Sequence, residues 1–369
     1  MRRIIYIHQQ PKWPNFTWRN EEIQVELGKL RNKQGRILGK MQAMGFKLRE
    51  EALLKTLTLD VQKTSEIEGE LLNSNQVRSS LARKLGLDVG GLVRSDRHVD
   101  GVVEMMLDAT QQYQKPLTKK RLCEWQKYLF PLGKSGNFMV RTGQYRKDET
   151  GPMQVVSGAL GKERVHYEAP PASVLNEEMV SFLKWFNTRH DVDPVLKAAL
   201  AHLWFVTLHP FEDGNGRIAR ALTDMLLARA DESAQRFYSM SAQIRLQRNQ
   251  YYDILERTQQ GKLDVTDWVK WFMQCLMAAL HATDDTLDDV LRKGKFWEMH
   301  AKTIFNARQQ QVLNKLLDAF EGNLTSSKWA KLTKSSPDTA LRDIQDLIDK
   351  KVLRKTEGGG RNTSYEVVL

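Results

Sequence analysis

The stretch His209-Pro-Phe-Glu-Asp-Gly-Asn-Gly-Arg-Ile-Ala-Arg220 decides how the chain is read. Before it runs Pro194 to Leu208, where Val195, Leu196, Ala199, Leu200, Leu203 and Val206 recur near helical spacing. After it Ile218, Ala221, Leu222, Met225 and Leu226 follow at steps of three and four. Both patterns predict helices with a buried face, so the quoted residues form the connection between two core helices. Gly214 and Gly216 fall where the second helix begins. Glycines there let backbone N–H groups approach a ligand, and a helix N-terminus favours an anion. Arg217 and Arg220 lie one helical step apart and add fixed positive charge suited to phosphate. Asp213 offers the hard oxygen that Mg²⁺ takes, with phosphates and water as its other ligands. His209 is the group of the stretch that can accept a proton near neutral pH. Singly, a histidine after an apolar helix is a packing or capping residue, and a Gly-x-Gly is a turn. Crowded together between two buried helices, these groups describe a phosphate-transfer site.

The pattern His209-Pro-Phe-x-Asp213-Gly-Asn-Gly-Arg217-x-x-Arg220 resembles the signature of the Fic family and is complete at every signature position. The resemblance implies an all-helical catalytic core and, as in most members, transfer of AMP from ATP to a Tyr, Thr or Ser hydroxyl of a target protein, with release of pyrophosphate. It makes His209 the general base and Asp213 the Mg²⁺ ligand. Asn215 and the N–H groups of Gly214 and Gly216 would hold the α-phosphate, Arg217 the outer phosphates and Arg220 the γ-phosphate.

Upstream, a helical pattern over Phe46 to Ser65 buries Leu53, Leu54, Leu57 and Val61, and ends at Thr64-Ser-Glu-Ile-Glu68-Gly69. The plain reading is a helix C-terminus with acids on its solvated face, although carboxylates are mildly unfavourable there. Thr-x-x-x-Glu-Gly is also similar to the inhibitory helix motif that many Fic proteins carry N-terminal to the core. A carboxylate can pair with a guanidinium fork. Glu68 on Arg220 would deprive the γ-phosphate of its partner.

The composition is that of an ordinary globular chain: 369 residues, 41% apolar, 27% charged. That length predicts two or three domains. Cys123 and Cys275 show neither metal nor redox spacing and fit inert thiols in a reducing cytoplasm. The apolar run at the start is too short for a signal peptide, and no stretch reaches the ~20 apolar residues of a membrane span. A net charge of +11 admits acidic partners without choosing among them.

The fold expected is mainly α: a Fic-type helical core with a β-hairpin flap, plus a C-terminal winged-helix domain. Residues 1–42, with Trp13, Phe16 and Trp18 around Pro14, read as an extension tucked onto the core. Residues 43–285 read as the catalytic domain, with the inhibitory helix near 50–70 and the flap near 153–168. Asn73 and Ser74 cap a further helix, and Val99–Tyr113 and Lys119–Phe130 are two more. Around Ser157-Gly-Ala-Leu-Gly161, the runs Gln154-Val-Val-Ser and Glu163-Arg-Val-His-Tyr predict a hairpin. In the resemblance this is the flap. A target segment would add to its edge as a strand, and Val155, Val156, Ser157 and Gly158 would border the nucleotide. Tyr251, Tyr252 and Gln259, within a helical pattern from Ala242 to Gln260, match positions that contact adenosine. Val265–Leu280 is the closing helix and 286–300 a linker helix.

Residues 301–369 read as three helices and a β-hairpin, resembling a winged helix. Arg342 and Lys350 lie on the third helix and Arg354, Lys355 and Arg361 on the wing. Such a module suits DNA, but Asp338, Asp343, Asp346 and Asp349 on the same helix argue against strong DNA reading. ATP, a target protein, self-modification, a homodimer and DNA are the partners this reading admits. Three alternatives stay open: removal of AMP from a modified protein by the same pocket, another phosphate donor, or a DNA-binding regulator.

Overall fold

The computed structural model describes residues 5–136, 138–149, 151–158, 162, 164–189, 191–317, 320, 322–356 and 363–368. The hairpin tip Ala159–Gly161, Glu163 and the wing residues Gly358–Arg361 lie outside them. The chain divides into two compact units, Met1–Gly45 with Arg49–Thr283, and Phe46–Leu48 with Asp284–Leu369.

The first unit opens with α1 (Asn20–Ala43), α2 (Phe46–Ile67), α3 (Ser74–Leu85), α4 (Arg97–Gln111) and α5 (Lys119–Leu129). Two short antiparallel pairs follow, β1 (Lys134–Ser135) with β2 (Phe138–Met139), and β3 (Gln154–Ser157) with β4 (Arg164–Glu168). Then come α6 (Ala172–Asn187), α7 (Pro194–Leu208), α8 (Asn215–Ala230), α9 (Met240–Leu246), α10 (Arg248–Gln259) and α11 (Thr266–Met299). The unit is built on the antiparallel pair α7 and α8, against which α4, α5, α6 and α9 pack. All of α7 except Pro194 and Lys197 is buried, as in a helix enclosed on every side. Its start is sharp: Pro194 occupies the first turn, and the Asp193 carboxylate accepts from Val195 N–H at 2.8 Å.

The N-terminal aromatics lie on this core. Trp13 and Phe16 meet Trp204 of α7 edge-on, with ring centroids 6.1 Å apart in each case. Thr17 N–H donates to Leu263 O, and Val265 N–H donates to Thr17 O. Other ends follow their capping chemistry: Asn73, Asp96 and Thr118 accept from the first turns of α3, α4 and α5.

Three readings need correction. Ala172–Asn187 is a helix that no sequence signal above had marked. The pattern from Ala242 to Gln260 is two helices, α9 and α10, broken at Gln247. A one-residue break barely shifts a 3.6-residue period, so periodicity does not register it. The closing helix and the linker helix are one, α11, because His281 to Asp285 contains neither Gly nor Pro to stop it.

The second unit contains α12 (Ala307–Leu317), α13 (Ser326–Thr333), α14 (Pro337–Asp349) and an antiparallel pair, β5 (Leu353–Lys355) with β6 (Tyr365–Val367). It has its own core around Phe296, Val312, Trp329, Ile344 and Leu347. Two acids of α14, Asp343 and Asp346, are engaged by side chains of this same unit. Buried Asp343 accepts from Arg308 at 2.7 Å and from Asn306 at 2.8 Å, and Asp346 accepts from Lys350 at 2.5 Å. Arg354 is paired with Glu366. No helix among the described residues is long and apolar enough to cross a membrane.

Candidate active site

The loop between α7 and α8 is shaped from both ends. His209 caps α7 in the left-handed conformation (φ 49°, ψ 56°). Gly214, also left-handed at φ 87°, precedes α8. Asn215 closes the loop on itself: its Oδ1 accepts from Phe211 N–H at 2.9 Å, and its Nδ2 donates to Phe211 O at 2.7 Å. The side chain expected on an α-phosphate is therefore engaged with the loop backbone here, and Asn215 acts through the loop's shape.

Arg146, to which the sequence assigned no role, clamps the same loop. Its Nε donates to His209 O at 2.8 Å, and its Nη2 donates to Pro170 O at 2.5 Å and reaches Leu208 O at 3.4 Å. Asp148 holds its remaining nitrogen at 2.6 Å. A guanidinium on the last carbonyls of α7 neutralises their partial negative charge. A lone arginine in a loop gives no sequence signal for this, since the carbonyls it holds at the end of α7 lie more than 60 residues away.

His209 is half-buried, and its Nδ1 lies 3.1 Å from Val206 O. A carbonyl only accepts, so Nδ1 carries the proton and Nε2 keeps its lone pair. Burial, with Arg146 adding to it, lowers the pKa of His209 below the ordinary imidazole value, against the opposing pull of Val206 O, Asp213 and Glu68. The ring is a neutral base at neutral pH.

Arg217 and Arg220 are buried, at 2% and 1% relative exposure. Each keeps a nitrogen without a hydrogen-bond partner, Nε of Arg217 and Nη1 of Arg220. Orphaned, buried guanidinium donors are costly unless an anion meets them. The chain itself supplies part of that anion. Glu68 Oε1 lies 2.7 Å from Arg220 Nη2, and Arg220 also donates to Thr64 Oγ1 at 2.7 Å and Thr64 O at 2.9 Å. Burial opposes the charge of Arg220, but the Glu68 carboxylate, with Tyr251 and Tyr252 beside it, outweighs burial and raises the arginine's pKa. A Cβ at Gly216 would fall on that carboxylate, closer than real Cβ contacts come. The absent side chain leaves a seat for an anion over the first turn of α8, and Glu68 sits in it.

Asp213 is half-buried and accepts from Gly214 N–H at 2.5 Å. Among the described residues it has no ion-pair partner, and no cluster of three metal-ligating side chains occurs. One free carboxylate beside an anion seat fits Mg²⁺ carried largely by phosphate and water, and does not fit a metal caged by protein.

Of the remaining predicted residues, Tyr251 and Tyr252 lie near enough to Arg220 to act on its charge. Tyr251 is in the core, where its hydroxyl meets His202 Nε2 at 2.9 Å. Tyr252 is half-buried, 5.1 Å from Tyr251 between ring centroids, with the Arg248 guanidinium over its ring. Gln259 is buried and donates to Thr207 Oγ1. The flap pair β3–β4 is rooted near the loop, since Tyr167 Oη donates to Thr207 O at 2.8 Å. Val155 packs against the cluster of Tyr6 and Tyr167, whereas Val156, Ser157 and Gly158 are exposed. Ser157 Oγ is 2.6 Å from His166 Nε2, and His166 Nδ1 is 2.6 Å from Glu256, which ties the flap to α10. A cavity of about 680 Å³ lined by Arg164, Glu256, Arg257, Lys270 and Trp271 contains none of the signature residues.

Residues 116–227, which contain the whole of the loop and both buried arginines, match the sequence model of the Fic/DOC family. The chain carries a Fic domain. Residues 6–87, which include Glu68, match a domain of unknown function, DUF4172. Over 112 residues the chain is 38% identical to the protein adenylyltransferase Fic of Drosophila yakuba, covering 30% of this chain and 20% of that protein. Over 232 residues it is 28% identical to the protein of the same name from Drosophila ananassae, covering 62% of this chain and 40% of that one. The chain thus spans a fifth to two fifths of the length of these relatives. A crystal structure of a Fic family protein from Desulfovibrio desulfuricans G20 aligns over 93% of this chain and 96% of its own, with TM-score 0.53 and 19% identity. That likeness concerns the fold, and a mainly helical Fic architecture is what the sequence predicted.

Proposed function

We propose that this Fic domain transfers AMP from ATP to a hydroxyl side chain of a target protein, and that Glu68 holds the reaction back. The observation that carries the reading is the anion seat at the start of α8: two buried arginines with unpartnered nitrogens, a glycine that leaves room, and a carboxylate lying where a phosphate would lie. The adenylyltransferase relatives support the same reading.

In the reaction the target hydroxyl oxygen bonds to the α-phosphorus, and the bond from that phosphorus to the α–β bridging oxygen breaks. Neutral His209 takes the hydroxyl proton on Nε2, a role typically worth ~10²–10⁴-fold in rate. Arg217 and Arg220 stabilise the charge that accumulates on the departing pyrophosphate. Asp213 would hold Mg²⁺, whose contribution is to neutralise phosphate charge. Arg146 and Asn215 keep the base and the phosphate seat in fixed relation. The flap offers a strand edge for the target segment, and Tyr252 and Gln259 are proposed on the adenosine side. For ATP to bind productively Glu68 must leave Arg220.

The test uses α-labelled ATP. His209→Ala is expected to abolish transfer of label to protein, with the fold intact by circular dichroism. Undiminished labelling by that variant would refute the base. Glu68→Gly is expected to raise labelling, seen first as self-modification.

A further inference from the structure

The inhibitory contact just proposed uses one carboxylate, yet the end of α2 presents two. Gly69 is left-handed at φ +88°. Its N–H donates to Glu66 O at 3.1 Å, and Glu70 N–H donates to Ser65 O at 3.0 Å. This is the hydrogen-bond pattern that ends a helix by turning the chain back on itself. It brings the residue on each side of Gly69 to the same site. Glu68 meets Arg220, and Glu70 Oε2 lies 2.6 Å from Arg217 Nη1. Glu70 has a second partner, His98 Nε2 at 3.1 Å. Arg217 is otherwise held by the Phe130 ring, 5.0 Å below its guanidinium.

The charges are therefore matched one to one. Two buried arginines, the cations of the phosphate seat, are each neutralised by a carboxylate from the same turn. An arriving triphosphate meets two acids as well as two arginines. Removing Glu68 alone frees Arg220 and leaves Arg217 occupied.

We propose that Glu70 is a second lock on the site, competing with the outer phosphates for Arg217. The Glu68–Gly69–Glu70 turn then works as one latch that releases both arginines together, and His98 retains Glu70 when it lets go of Arg217. This rests on the nucleotide-binding reading above and adds to it a regulatory residue outside the Thr-x-x-x-Glu-Gly pattern.

The experiment compares four full-length proteins: the parent, Glu68→Gly, Glu70→Gln and the double variant. ATP with Mg²⁺ is titrated into each by calorimetry, and labelling kinetics are measured for the two proteins lacking Glu68. Glu70→Gln keeps the size and hydrogen-bonding capacity of the side chain, so folding is spared, and a thermal melt checks it. The double variant is expected to bind ATP at least about threefold tighter than Glu68→Gly, the scale of one charged, partly exposed pair. The gain should appear in KM for ATP rather than in kcat. A residue that merely braces α2 would lower the melting temperature without tightening binding. If Glu70→Gln binds ATP equally or more weakly in both backgrounds, Glu70 orients Arg217 instead of blocking it, and the second lock is wrong. If none of the four folded proteins binds ATP, the nucleotide-site reading fails and the lock fails with it. Binding by Glu68→Gly without further gain from Glu70→Gln overturns the lock alone.

Discussion

At the scale of single residues, what matters about His209 is where its proton sits. Val206 O fixes the proton on Nδ1, and Arg146, anchored to His209 O, fixes the loop that carries the ring. Because burial lowers the pKa, the neutral form that the proposed reaction needs persists below the ordinary imidazole pKa of about 6.5. Labelling by Glu68→Gly should therefore stay level as the pH falls from 8 to about 6.5, and decline only at lower pH as the ring gains a proton. A pH profile of kcat/KM for ATP checks this. An acid limb at or above 6.5 would mean that the base is another group or that the site opens to water in the working state. The place of the histidine at the end of an apolar helix was legible in the sequence. Arg146 was not, because nothing local marks a buried arginine whose acceptors come from two other segments.

At the scale of elements, the proposed function rests on two helix ends that meet through their side chains. The start of α8 provides an anion seat, and the end of α2 provides acids that fill it. The first was visible in the sequence, since glycines and arginines at the start of a helix carry their own meaning. The second was half visible. Glu68 belongs to a recognisable pattern, but Glu70 stands two residues away across a left-handed glycine, and only the turn's geometry aims both at the same pair of arginines. Gly69 can be tested directly. A Cβ there meets nothing within 4 Å, so an alanine costs only the backbone conformation, roughly 1–2 kcal/mol. That strain is relieved by unwinding the last turn of α2, which lifts both carboxylates. Gly69→Ala is accordingly expected to label itself from α-labelled ATP several-fold faster than the parent, with Glu68 and Glu70 still present. Parental labelling by a folded variant would show that the turn does not set the lock.

At the scale of the whole molecule, each unit has its own core, and the first is centred on α7 and α8. That core encloses polar groups the sequence presented as ordinary helix residues. His202 is buried between Thr223 Oγ1 and Tyr251 Oη, each 2.9 Å away. Thr223 spends its proton on Ala219 O, so His202 donates from Nδ1 and accepts from Tyr251 at Nε2. Burial, with Arg220 nearby, lowers its pKa to about 3. The unfolded chain takes up this proton near pH 6.5 and the folded one does not. The contribution of His202 to stability is thus complete above about pH 6.5 and is lost as the pH falls from there towards 3. Between pH 7 and pH 5 the loss is about 2 kcal/mol. Urea unfolding of the parent and of His202→Gln should show the parent losing that much more than the variant over this interval. Equal losses would mean that the buried site admits the proton.

The sequence by itself determined the helical architecture, the helix–loop–helix at its centre and the chemical character of the loop between. Those properties are written in neighbours three or four residues apart and in residue types with restricted uses. The tertiary structure decided which acid neutralises which arginine, which carbonyls Arg146 holds, and that Asn215 spends its side chain on the loop. The two arginine–carboxylate pairs join residues 152 and 147 positions apart. Many carboxylates in the chain have the charge to make such a pair, and only the packing of α2 beside α8 selects the two that do.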